Sequence, residues 1–193
     1  MGIGASGETF SAPYLLPDGQ ETLLATDGGV FSKGHVDPGS LILLAKAPPP
    51  PATGNLLDLG CGYGPIALSL ALRSPKAVVW AIDVNPRARE LTEANAEHLG
   101  VKNLRVVEPD DVPGEIVLAA IYSNPPLHTG KADLHSMLDH WLARLEADSA
   151  GWLVVKKSRG SDSLMRWLAE RGHPVSKLGS KRGFRVIEVG RRP

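Results

Sequence analysis

Four consecutive residues, Ser123-Asn124-Pro125-Pro126, carry the clearest chemical pattern in this chain. Two prolines in a row have fixed φ and no N–H donor, so their carbonyls stand as rigid acceptors. Asn124 adds a side-chain carbonyl acceptor. Together they offer two converging acceptors that suit a planar –NH2 group. Such an amine is a poor nucleophile because its lone pair is delocalised into a ring or a carbonyl. Accepting both of its hydrogens holds it in place and favours pyramidalisation as the nitrogen forms a new bond. Each such bond contributes only about 0.5–1.5 kcal/mol net, or roughly 1.5–3 kcal/mol as charge develops. Alignment of the nitrogen with the group it attacks contributes more, up to about 7–11 kcal/mol. No strong general base is needed, since the nitrogen becomes acidic only after it gains its new substituent. Asn124, Pro125 and Pro126 are therefore the expected catalytic residues, and Asn124 is expected to border the cofactor as well.

A second pattern lies upstream, in Asp58-Leu59-Gly60-Cys61-Gly62-Tyr63-Gly64. Glycines at a strand-to-helix turn allow positive φ and a close approach of backbone to a ligand. The spacing is G-x-G-x-G after an acid, not the G-x-G-x-x-G of dinucleotide enzymes. A pyrophosphate prefers helix-terminal N–H groups without a carboxylate beside them. Asp58 suits instead a ligand with a cationic amino group or a sulfonium. Asp83, followed by Val84, ends the next apolar run, where a carboxylate can accept both hydroxyls of a ribose. The adenosine so held belongs to either a nicotinamide cofactor or S-adenosylmethionine. Asp110 or Asp111 follows the third run and is placed to accept the adenine amino group, with Asp110 preferred. The expected cofactor contacts are thus Asp58, Gly60, Cys61, Gly62, Gly64, Asp83, Val84, Asp110 and Asn124.

These residues need a scaffold that brings them to one edge. After Pro48-Pro49-Pro50-Pro51, a stiff connector, apolar runs alternate with helical periods. Strands are expected at Asn55 to Leu59, Ala77 to Ile82, Leu104 to Val107, Ile116 to Tyr122 and Trp152 to Val155. Helices are expected at Pro65 to Arg73, Pro86 to Leu99, Ala132 to Leu145 and Ser161 to Arg171. Val175 to Gly179 and Arg185 to Val189 form a closing hairpin, too closely linked to be parallel. The expected fold is α/β: a Rossmann-like, seven-stranded, mostly parallel sheet with an antiparallel last strand and helices on both faces. Residues 1–51 are expected to form an N-terminal extension packed on the main domain, residues 52–193. In it, Glu21 to Thr26 reads as a strand, Asp27-Gly28 as a tight turn and Gly29 to Ser32 as the return strand of a hairpin. Asp37 caps a helix that has Pro38 at its first position and runs on through Leu41 to Ala47.

Bulk properties narrow the class. The chain has 193 residues, 42% hydrophobic and 22% charged, which favours one packed domain over disorder. One cysteine, Cys61, rules out a disulfide framework within the chain and fits a reducing, cytoplasmic setting. No signal peptide is expected, and no apolar run approaches the roughly 20 residues of a membrane helix. The formal net charge is zero, which argues against strong non-specific binding to nucleic acid. The charge is nevertheless uneven: Lys156 to Arg192 is rich in Lys and Arg, and Glu108 to Glu115 is acidic.

The combination of the glycine loop, Asp83 and Ser123-Asn124-Pro125-Pro126 resembles the class I methyltransferases. Gly29-Val30-Phe31-Ser32, Val36-Asp37-Pro38-Gly39-Ser40 and Leu43-Leu44 are similar to the segment before the first strand in the "methyltransferase small" group, which includes ribosomal RNA guanine-N2 methyltransferases. The resemblance extends to His128-Thr129-Gly130-Lys131 and to Gly183-Phe184-Arg185-Val186. It implies S-adenosylmethionine as donor, an RNA acceptor, Asn124 with Pro125 on the target amine, and the three loop glycines under the methionine portion. By resemblance only, Phe31 and Lys33 face the cofactor or the acceptor. Leu127 stands where amino methyltransferases often carry an aromatic residue against a flipped base, and His128 beside it is a further candidate acceptor contact.

Other residues read more plainly. Cys61 fits the loop by being small, not as a nucleophile. The six histidines show no metal-ligand spacing, and no metal is expected. Trp80, Trp141, Trp152 and Trp167 read as core. Lys156, Lys157 and Arg159, and likewise Lys181, Arg182 and Arg185, read equally as RNA phosphate contacts or as solvated charges. Three acceptor classes share the Asn-Pro-Pro chemistry: guanine N2, adenine N6 and a protein glutamine amide. A non-catalytic module that binds RNA or a partner is the reading from another class, and a dehydrogenase fits least.

Overall fold

A computed structural model describes residues 9–30, 34–126 and 130–193. Among the described residues, nine strands and five helices follow one another as β1 (Thr9–Leu15), β2 (Glu21–Asp27), α1 (Pro38–Lys46), β3 (Asn55–Leu59), α2 (Pro65–Arg73), β4 (Val78–Ile82), α3 (Pro86–His98), β5 (Leu104–Val107), β6 (Leu118–Ser123), α4 (Lys131–Leu142), β7 (Leu145–Lys156), α5 (Ser161–Glu170), β8 (Val175–Lys181) and β9 (Phe184–Gly190). β1 and β2 form a separate two-stranded sheet; the other strands make a seven-stranded sheet in the order β5-β4-β3-β6-β7-β9-β8. β9 runs antiparallel to both neighbours, and the remaining pairings are parallel. The expected α/β architecture is therefore the observed one.

Alternation along each strand builds a core on each face. Leu56, Ala120, Val154 and Val186 join α1 and α2 on one side. Their neighbours Leu57, Ile121, Val155 and Ile187 join α4 and α5 on the other. Strands buried on both faces give the unbroken apolar runs seen in the sequence. Strand order reverses between β3 and β6, opening a crevice outside their carboxyl ends, the usual ligand position in such sheets.

Two local readings are corrected. The N-terminal hairpin pairs β2 with the upstream β1, in the register Thr9↔Asp27 to Leu15↔Glu21, not with Gly29 to Ser32. Its turn is the Pro17-Asp18-Gly19 segment, closed by Leu16 N–H to Gln20 O at 2.8 Å. Asp27-Gly28 does turn the chain, since the Asp27 carboxylate accepts Gly29 N–H at 2.9 Å. It leads into a loop, however, and Phe31 and Ser32 lie outside the described residues. The second correction concerns Leu145, expected to end α4. It starts β7 and pairs with Leu118. Leu145 continues the helical period of Leu138, Trp141 and Leu142, but pairing with the edge of β6 buries it completely.

The described residues among the first 51 contribute to the core of the main fold. Ile42 and Leu43 of α1 pack with Leu56, Tyr122 and Val154. Tyr14, Leu24 and Val30 pack with Tyr63, Leu68 and Leu91. Buried Asn95 of α3 clamps the hairpin by donating to Ala25 O and Tyr63 O, both at 2.9 Å, and accepting Ala25 N–H at 2.7 Å.

Candidate active site

The loop after β3 is held by its own backbone. Gly60 N–H and Cys61 N–H both donate to Ile82 O, at 2.9 and 3.0 Å, which folds the loop over the end of β4. Gly62 N–H donates to one oxygen of Asp83 at 3.0 Å, and Asn85 N–H to the other at 2.9 Å. Thr92 Oγ1 donates to Gly62 O at 2.9 Å and fixes the loop from α3. Gly64 closes it at φ +97°, where an added Cβ would lie 2.9 Å from Thr92 Cγ2, so both conformation and space require glycine.

Asp58 lies beneath this loop. It is fully buried and accepts Ala67 N–H of α2 at 2.9 Å. Burial pushes its carboxyl up to about 8; the Ala67 bond opposes the rise and the nearby Asp83 charge adds to it. Asp58 thus tethers α2 to β3 rather than lining the cavity. The Cys61 thiol is likewise pushed up by burial, with Asp58 and Asp83 adding to the effect, which makes it a packing group.

On the other side of the crevice, Ser123 Oγ donates to Leu59 O at 2.6 Å and ties the ends of β6 and β3 together. Asn124 follows. Its side-chain NH2 donates to Asp37 Oδ1 at 2.8 Å and to Ser40 Oγ at 3.2 Å. A carboxylate only accepts, so Asp37 fixes which end of the amide is nitrogen and turns the Asn124 oxygen the other way. Asp37 Oδ1 also caps α1 by accepting Gly39 N–H at 2.7 Å. A Cβ on Gly39 would lie 2.7 Å from that oxygen and 2.9 Å from Phe184, so glycine lets the cap approach.

A cavity of about 540 Å³ joins both halves. It is lined by Gly60, Cys61, Gly62, Asp83 and Val84 on one side and by Asn124, Pro125 and Pro126 on the other. Asp58, Gly64, Asp110 and Asp111 are not in its lining; Pro109 is, while the two acids sit exposed on a single 3₁₀ turn, Pro109–Asp111. Phe31, Lys33, Leu127 and His128 fall outside the described residues. The lining also includes Asp37, Ser40, Asn85 and Phe184. Asp37 was legible as a helix cap, but its second bond, to a residue 87 positions away, left no sequence signal.

The cavity fits S-adenosylmethionine. Its volume lies within the roughly 300–1,000 Å³ common for small-molecule sites. Gly60 and Gly62 of its lining carry no side chain that would fill it. Each Asp83 oxygen accepts one amide and retains a further lone-pair direction for a ribose hydroxyl. Among the described residues, no group of three or more His, Cys, Asp or Glu is placed to hold a metal ion, and no helix is long and apolar enough to cross a membrane.

The model of the methyltransferase small domain matches residues 21–188. YbxB of Bacillus subtilis, an uncharacterized protein, is 38% identical over 167 residues, which cover 85% of this chain and 83% of YbxB. The ribosomal RNA small subunit methyltransferase C of Pseudomonas aeruginosa is 36% identical over 191 residues, covering 98% of this chain and 56% of that protein. Among solved structures, the Thermus thermophilus 16S rRNA N2 G1207 methyltransferase (RsmC), in complex with AdoMet and guanosine, superposes with a TM-score of 0.77 at 26% identity, over 98% of this chain and 52% of that one. The chain spans about half the length of these ribosomal RNA methyltransferases.

Proposed function

The chain belongs to the methyltransferase small domain family, and from that premise we propose that it methylates an exocyclic amino nitrogen, N2 of a guanine in small-subunit ribosomal RNA. Its donor is S-adenosylmethionine. The observation that carries the nitrogen assignment is the oriented Asn124 amide, held by Asp37 and Ser40 at the cavity wall. The choice of guanine in ribosomal RNA rests on the relatives, one of which is a 16S rRNA N2 G1207 methyltransferase holding guanosine.

When bound, S-adenosylmethionine supplies a methyl group on a cationic sulfonium. Asp83 accepts the ribose hydroxyls, and the Gly60–Gly62 backbone lets the methionine portion lie close. The Asn124 side-chain oxygen and the Pro125 carbonyl accept the two amine hydrogens and aim the nitrogen lone pair. Because Asp37 and Ser40 hold the NH2 end of Asn124, the amide does not have to reorient when the acceptor arrives, which is electrostatic preorganisation. The nitrogen becomes strongly acidic only as it gains the methyl group, so its proton leaves afterwards without a dedicated base. Val84, Pro126 and, outside the described residues, Phe31, Lys33, Leu127 and His128 complete the proposed contacts. Asp110 remains the proposed partner of the adenine amino group, reached from the turn that Pro109 brings to the cavity.

The test is transfer of tritiated methyl groups by the purified protein to small ribosomal subunits and to naked RNA, followed by digestion to nucleosides. Label in N2-methylguanosine is the expected result. Label in N6-methyladenine or in protein glutamine would overturn the choice of guanine. Cofactor binding without transfer to any acceptor would make the chain a non-catalytic module.

A further inference from the structure

The sequence left two short basic stretches unassigned, Lys156-Lys157-Ser158-Arg159 and Lys181-Arg182. In the fold they form one surface. Lys157 N–H donates to Gly183 O at 2.8 Å, so the turn after β7 and the β8–β9 turn are joined backbone to backbone. Lys156 and Arg159 line the mouth of the cavity, and the Lys156 ammonium sits 5.4 Å from the centre of the Phe184 ring, itself part of the lining. Lys157, Lys181 and Arg182 continue outward from there, all exposed.

This concentration stands out against a chain with 21 Lys and Arg and 21 Asp and Glu. Asp162 lies beside the group; it is ion-paired with Arg185 and also within reach of the Lys157 charge. Among the described residues no ion pair takes up Lys157, Lys181 or Arg182. Arg182 adds an independent sign. It occupies the first central position of a two-residue hairpin turn at φ +48°, followed by Gly183 at +80°, between the paired Lys181 and Phe184. Positive φ at both positions is the geometry in which Asn, Asp or Gly is favoured, and an arginine there costs backbone energy. Among the described residues the Arg182 side chain takes part in no ion pair, and it stands exposed on the turn whose Gly183 carbonyl accepts Lys157 N–H.

We infer that Lys156, Lys157, Arg159, Lys181 and Arg182 form a docking track for the phosphodiester backbone of an RNA acceptor, leading to the cavity past Lys156 and Arg159. The inference rests on the RNA reading proposed above and adds the surface that reads the polyanion. Backbone contacts of this kind set position and affinity and leave selection of the base to the cavity. They also let a chain of zero net charge bind RNA, because the charge is local.

Lys157→Gln and Arg182→Asn test the track, since neither residue lines the cavity. Binding of a labelled small-subunit RNA fragment is measured by fluorescence anisotropy at several salt concentrations, alongside calorimetry with S-adenosylmethionine, thermal unfolding, and methyl transfer to RNA and to free guanosine. The double variant is expected to bind RNA about tenfold more weakly, with a log–log salt slope shallower by about 0.7–0.9 per cation removed. Cofactor affinity and turnover of guanosine should not change, and KM for RNA should rise with kcat held. Arg182→Asn alone should weaken RNA binding while leaving Tm equal or higher, a combination that a merely structural role would not produce. Wild-type RNA affinity and salt slope in the double variant, or no RNA binding by the wild type, would overturn the track. Binding that depends on these cations but leads to no methylated RNA would keep the track and remove the proposed reaction. Transfer to an acidic protein that depends on the same cations would reassign the surface and refute the RNA docking.

Discussion

The two walls of the cavity are built in different ways. The donor wall is local: the glycine loop, the end of β4 and the start of α3 lie along the consecutive elements β3, α2, β4 and α3, joined by backbone N–H bonds to Ile82 O and to the Asp83 carboxylate. The acceptor wall is assembled from distant pieces. Asn124 follows β6, and the groups that orient it, Asp37 and Ser40, stand 87 and 84 residues earlier. A ligand common to a whole family can be met by backbone and one carboxylate. Orienting a single amide needs side chains fixed by tertiary packing.

Substitutions on the two walls should therefore separate binding from turnover. Asn124→Ala should have the largest effect, lowering kcat by about two to three orders of magnitude, the scale of losing one preorganised polar group. Its affinity for S-adenosylmethionine by calorimetry should stay within a few-fold of wild type; turnover equal to wild type would break the comparison. Asp83→Ala should weaken the cofactor by about 10–100-fold, since charge-assisted bonds of roughly 1.5–3 kcal/mol are lost on the donor wall. Gly64→Ala should destabilise the fold by about 1–3 kcal/mol through positive φ and the Thr92 contact, read as a fall in the urea midpoint. Ser40→Ala sharpens the acceptor side: removing one neutral bond to Asn124 should slow kcat by about 2–10-fold, equivalent to roughly 0.5–1.5 kcal/mol, with cofactor affinity unchanged.

Asp58 gives a stability signature that separates the loop's support from its ligand face. Its carboxyl titrates near 4 when unfolded, about 3.9, and at about 8 in the fold. Between these values the folded state holds more protons than the unfolded state, so stability should fall as pH rises from about 4 to about 8 and level off beyond. Asp58→Asn should flatten that slope in denaturant titrations at pH 5 and pH 8. An unchanged slope would mean that Asp58 is ionised within the fold.

Local signals were legible wherever one segment fixed its own structure. Pro65–Arg73 and Leu104–Val107 have the bounds the sequence predicts, because periodicity and flanking breakers coincide there. Leu145 departs from its helical period because strand pairing with Leu118 outweighs propensity. The hairpin departs because two turn signals, Pro17-Asp18-Gly19 and Asp27-Gly28, flank β2, and only packing of Tyr14 and Leu24 against α3 selects the upstream one. The two acids divide in the same way: Asp83 directly follows β4 and lines the cavity, whereas Asp58, one residue before the end of β3, is buried and accepts Ala67 N–H beneath the loop.

The sequence by itself determined the alternating α/β order, the antiparallel β9 and the strand-end positions of the glycine loop, Asp83 and Asn124-Pro125-Pro126, because each is written in neighbouring residues whose backbone preferences are local. Only the tertiary structure decided that Asp37 and Ser40 orient Asn124, that the β1–β2 hairpin and α1 share the core, and that Lys157 meets the Arg182-Gly183 turn beside the cavity. Those pairings join segments tens of residues apart, and their partners are selected by sheet order and packing, which no single segment encodes.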